Sequence, residues 1–219
     1  MDPFVILINL FELLACLTGF VTIRKLQGSY WYYFPFYLAV VFITEVSAEY
    51  ITYALHNAYL NTLIYKYFGI PIQFLFFYWI FYRYFSTGPR RVWVAVLSSV
   101  YIMCLLADLL YLGKMSFFAS FSYMAGNIVL LVLILMFYIQ FINSDEVQQY
   151  RYSMMFWVCL GMLLFYLGTL PFYGLRNMLY DQYTQLFYIY YYASFVLNYT
   201  MYIMFIIAFI WARPNYSYS

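Results

Sequence analysis

FITEVSAEYITYALH, residues 42–56, sets two carboxyls, Glu45 and Glu49, inside an apolar run. They stand one helical turn apart, and Thr52, Tyr53 and His56 continue the same stripe at i+7, i+8 and i+11. A carboxylate at the centre of a lipid-embedded helix costs about 3 kcal/mol, and each Leu, Ile, Phe or Val returns only about 0.5. Residues 34–53 hold nine such apolar residues, worth roughly 4 kcal/mol against about 6 for the two acids. Alone, this helix is marginal in lipid. It must turn its acids inward and rely on neighbouring helices, which makes the fold a helical bundle.

The rest of the chain agrees. Of 219 residues, 68% are hydrophobic, 27% aromatic and only 8% charged, where a soluble domain carries about 25% charged residues. So few charges cannot cover a water-exposed surface. At 1.5 Å per residue, about 20 apolar residues cross roughly 30 Å of hydrocarbon. The length therefore admits about seven spans and leaves no room for a sizeable soluble domain. A net charge of +2 gives no reason to expect nucleic acid. The cysteines, Cys16, Cys104 and Cys159, lie in apolar runs and are expected as free thiols. The first apolar run follows Met1-Asp2-Pro3, with neither a basic segment before it nor a small-residue cleavage site after it. It is expected to be a retained helix.

Charged and turn-forming breaks divide the chain into helices over 4–23, 30–55, 61–85, 92–112, 117–142, 154–174 and 186–211. The expectation is an all-α polytopic membrane protein, one seven-helix domain over 1–219. Short breaks make sequential helices antiparallel neighbours. Arg24, Lys25, Arg83, Arg90, Arg91, Arg151 and Arg213 fall in alternate loops and at the C-terminal end; Lys66, Lys114 and Arg176 fall on the other side. The bias places the N-terminus outside and the C-terminus in the cytoplasm of a cell inner membrane. The tail after Trp211 is short, so output would come from a partner. Pro71 is expected to kink the third helix, and Pro171 to distort the outer end of the sixth.

Other helices carry polar side chains at related depth. Glu12 lies mid-way along the first. Lys66 and Gln73 share a face of the third, and Lys66 is expected to pair with Glu45 or Glu49. Asp108 aligns with Tyr101, Cys104 and Tyr111 on the fourth and is placed to meet Lys114. Asn127 is in the fifth; Tyr191, Ser194 and Asn198 align on the seventh. Together, Glu12, Glu45, Glu49, Tyr53, Lys66, Gln73, Asp108, Asn127, Tyr191 and Asn198 predict a polar cavity opening outward, for a ligand or for protons. The competing reading for such groups is helix-to-helix hydrogen bonding at about 0.6 kcal/mol each. Intramembrane carboxyls are rare and often functional, which favours Glu45 and Glu49 as site residues.

Much chemistry is excluded. One histidine cannot supply the ligands of a seven-helix zinc hydrolase, so no metal site is expected. The seventh helix has no lysine for a retinal Schiff base. GxSxG, HExxH, Walker and GxGxxG motifs are absent, and no catalytic residue or cofactor is assigned.

Two passages, YKYFGIPIQFLFFYWIFYRYF (65–85) and FWVCLGMLLFYLGTLPFYG (156–174), resemble small seven-helix membrane proteins widespread in Bacteroidota. The likeness lies in the proline turn and FYRYF end of the third helix, the F-W…G…FYLG pattern of the sixth, and the acid within the second. It spans most of the chain. Because such proteins are often encoded near sensor histidine kinases, the resemblance implies a sensory role and a kinase partner.

The leading expectation is a sensory or signalling subunit that takes a small amphipathic or cationic ligand, or a lipid, into the outer cavity. Alternatives are a proton-coupled transporter or channel, a lipid-modifying enzyme with a carboxyl as general acid, and a structural subunit. No nucleophile–base pair is visible, which puts the enzyme behind the first two.

Overall fold

The computed structural model describes residues 3–112 and 121–213. Lys114 and the first four residues of the helix expected over 117–142 lie outside that range. The regular secondary structure of the described residues is all helical, without strands.

The first span is α1 (Pro3–Val21), followed by the short α2 (Ile23–Leu26). A 3-10 turn, Tyr30–Tyr33, leads into α3 (Phe34–Tyr53). The third span is α4 (Ala58–Ile64), a π turn (Tyr65–Gly69) and α5 (Ile70–Tyr84) in sequence. The fourth is α6 (Pro89–Ala107) and a second π turn (Asp108–Leu112). Then come α7 (Phe121–Ile142), a 3-10 segment (Asp145–Tyr152), α8 (Met154–Gln182) and α9 (Thr184–Trp211). Among the described residues, seven helices are thus long and apolar enough to cross a membrane. Large apolar side chains on the outer face stay exposed, among them Val21, Ile43, Val92, Leu110 and Ile189. That surface suits hydrocarbon and not water.

Local chemistry sets the boundaries. Pro35 and Pro89 sit in first turns, where a missing N–H costs nothing. Asn57 caps α4 by accepting the Leu60 N–H at 2.9 Å, and Ser153 caps α8 by accepting from Phe156 at 3.3 Å. At Pro71, where a kink is expected, the structure has a π turn. The proline cannot donate to the turn before it, and the helix widens there so that the Ile70 N–H reaches back to the Tyr65 carbonyl. Pro171 is absorbed inside α8, which continues to Gln182. The loop expected over 176–185 therefore shrinks to Tyr183, between two long helices.

His56 holds a left-handed backbone, φ 51°, in the turn between α3 and α4. Its role is to turn the chain, a conformation that costs most residues about 1–2 kcal/mol. His56→Gly is expected to leave the melting temperature in detergent unchanged or slightly raised. His56→Val should lower stability by about 1 kcal/mol, read from the same melting curves.

Consecutive spans pack against one another, and α9 closes back on α1. One end of the bundle is basic. Lys25 Nζ donates to the Ile210 carbonyl at 3.4 Å. The Arg213 N–H donates to the Tyr152 carbonyl at 3.0 Å, and Arg90 Nη1 to Gln140 Oε1 at 2.6 Å. Arg91 lies 4.2 Å over the Tyr82 ring. The half next to this end is filled with rings: Phe34, Phe77, Phe81, Phe205 and Phe209 are all fully buried. Phe34 packs 5.2 Å from both Phe205 and Phe209. Small residues let helices meet closely. A Cβ on Gly161 would lie 3.1 Å from the Met201 carbonyl oxygen where α8 meets α9.

Candidate functional site

The other half of the bundle is hollow. A partly open cavity of about 620 Å³ lies among six of the seven spans. Glu12 reaches its wall from α1, Glu45 from α3, and Asn61, Tyr65, Lys66 and Gln73 from the third span. Tyr123 comes from α7, Tyr173 from α8, and Tyr191, Asn198 and Tyr202 from α9. The volume falls within the roughly 300–1,000 Å³ typical of small-molecule sites.

Each acid is held by a specific donor. The Tyr202 hydroxyl donates to Glu12 Oε1 at 2.8 Å, and Glu12 Oε2 has no hydrogen-bond partner among the described residues. The Tyr65 hydroxyl donates to Glu45 Oε2. Gln73 Nε2 donates to the Tyr166 hydroxyl, which ties the third span to α8. Asn61 Nδ2 donates to Thr52 Oγ1 at 2.7 Å, tying the third span to α3. These bonds hold the wall in place while leaving its centre empty.

Lys66 does not pair with Glu45 or Glu49. Its Nζ lies 3.5 Å from Asp108 Oδ1, and Ser122 donates to Asp108 Oδ2 at 2.7 Å. The pair joins the two π turns, and Ser122 adds a third span. The reason is geometric: each π turn swings its residue out of the α-helical register toward the neighbouring helix. The expected meeting of Asp108 with Lys114 involves a residue outside the described range. Since Asp108 matches the Lys66 charge, no cation among the described residues pairs with Glu12 or Glu45.

Comparison with known protein families, curated proteins and solved structures returns no match. Function must therefore be argued from the site.

Six of the ten residues singled out in the sequence line the cavity: Glu12, Glu45, Lys66, Gln73, Tyr191 and Asn198. Four do not. Glu49 is turned toward α1, where Asn9 Nδ2 donates to both its carboxylate oxygens at 2.8 Å. Four residues carry it about 6 Å along the axis and only about 40° around it, a step that takes it past the cavity to Asn9. Tyr53 points outward, about half exposed. Asp108 is buried behind Lys66. Asn127 is fully buried in α7, apart from the cavity. Sequence reading missed Tyr65, Asn61 and Tyr202. Tyr202 was within reach, since it continues the Tyr191–Asn198 stripe by one more turn. Tyr65 was hidden because the π turn breaks the 3.6-residue count on which its face assignment depends. Among the described residues no group of three or more His, Cys, Asp or Glu side chains could hold a metal ion.

Proposed function

We propose that this chain is an integral membrane sensory or signalling subunit whose cavity binds a small cationic amphipathic molecule. One observation carries the reading: carboxyls from separate helices, Glu12 and Glu45, line one hollow without a paired cation, among tyrosines. Aromatic faces and carboxylates both attract ammonium groups. By the excess of lysine and arginine at the opposite end, the cavity faces outward from an inner membrane and the C-terminus is cytoplasmic. The basic loop 86–91 and the segment 143–153 would then meet a cytoplasmic partner of the histidine-kinase kind. The buried phenylalanines below the cavity favour a one-sided receptor over a channel, because they offer ions and protons no polar path.

The test uses the purified protein in lipid nanodiscs. Decylammonium is expected to raise the melting temperature, and decanoate is not. Glu45→Gln should weaken decylammonium binding about tenfold, the effect of losing one charge-assisted bond. Combining it with Glu12→Gln should abolish the shift. An equal response to both amphiphiles, or an unchanged response in the double variant, sinks the reading.

A further inference from the structure

A second, narrow cleft of about 50 Å³ runs between α3 and the π turn of the third span. Val41, Glu45, Tyr65, Ile70 and Gln73 line both this cleft and the main cavity, so the two spaces adjoin beside Glu45. The outer rim of the cleft includes Val40 and Phe68, 37% and 49% exposed on the apolar surface of the bundle. The remaining wall is mainly aliphatic, with Ile72 beside Val41 and Ile70. Polar groups thus gather at the inner end and apolar groups at the outer end. The π turn produces the gap: it bulges the third span where it passes α3, and Gly69 adds no side chain there. A Cβ on Gly69 would meet Tyr65 Cδ1 at 3.5 Å and Thr44 Cγ2 at 3.6 Å, so alanine fits and anything larger fills the space.

We infer that the cleft is the seat of a hydrocarbon chain that runs sideways from the cavity into the bilayer. This rests on the reading above and narrows it. The ligand is a single-chain amphipath resident in the membrane, its ammonium head at Glu45 and Glu12 and its chain between Val40 and Phe68. The cleft is far smaller than the cavity, about 50 Å³ against about 620 Å³, which leaves the head group on the cavity side. The charge pattern sets the direction, since the lining carboxyls lie inward and the exposed rim carries none.

Two probes separate the head site from the chain site: butylammonium, which is water-soluble and reaches only the head site, and hexadecylammonium, which partitions into the bilayer. Each is titrated against the protein in nanodiscs. Gly69→Leu fills the cleft from the third span and Thr44→Leu fills it from α3, so the test does not depend on one variant folding well. Each is expected to weaken hexadecylammonium at least tenfold while butylammonium stays within twofold of wild type. If hexadecylammonium binding survives both fillers, or if both amines weaken equally, the chain does not lie in the cleft and the inference fails while the receptor reading stands. If neither amine binds the wild-type protein, the receptor reading fails and takes this inference with it.

Discussion

Lys66→Met is expected to cost about 3–5 kcal/mol of stability, because it leaves the carboxylate of Asp108 buried without this counter-charge. Asp108 is 2% exposed and sits where the third, fourth and fifth spans meet. Ser122 still donates to it in the variant, but one hydroxyl offsets only part of the charge. The reverse change should be milder. Asp108→Asn keeps an acceptor for Ser122 and strands Lys66, which lines the cavity and can draw water there. A loss of about 1–2 kcal/mol is expected. The double variant should recover most of the Lys66→Met loss, since a neutral pair has no unbalanced charge to bury. Unfolding in mixed micelles measures all four corners of the cycle. If the single losses simply add in the double variant, the 3.5 Å contact carries no coupling and the two π turns are not joined through it.

Composition and the spacing of apolar runs carried the fold, since both record the solvent directly. Seven stretches long enough for a bilayer became seven helices, most ends shifted by a few residues and the end of the sixth carried on to Gln182. The shifts follow from backbone chemistry. The 176–185 segment looks like a loop because it is polar, yet nothing in it stops a helix except the turn at Tyr183. The site was legible wherever polar residues follow a regular helical stripe, as Tyr191 and Asn198 do on α9. It was illegible where one turn decides between two neighbours. Glu45 and Glu49 stand a single turn apart on one stripe, and that step of about 6 Å along the axis separates the cavity from Asn9. The Lys66–Asp108 pairing was beyond reach for a second reason. Both residues lie in π turns, and an extra residue in a turn shifts every face after it.

Gly126 shows a different kind of constraint, one that polarity never reveals. An added Cβ at this position of α7 would lie 2.6 Å and 2.7 Å from two ring atoms of Phe74, and 2.9 Å from Tyr101 Cε2. Both rings are fully buried and touch each other, with centroids 5.4 Å apart. Neither can swing into open space, so the α7 backbone itself must retreat. That retreat also breaks the 2.8 Å bond from the Tyr78 hydroxyl to the Gly126 carbonyl. Gly126→Ala is therefore expected to cost about 3 kcal/mol, the upper end of ordinary overpacking. Gly174→Ala is the control, because its Cβ would meet only the flexible tip of Met124 at 3.3 Å; a change below about 0.5 kcal/mol is expected there. Shrinking the obstacle should rescue the first variant in part: Gly126→Ala with Phe74→Leu is expected to melt above Gly126→Ala alone, even though Phe74→Leu by itself opens a cavity and destabilises. Equal melting temperatures for Gly126→Ala and Gly174→Ala would mean that α7 does not press on Phe74.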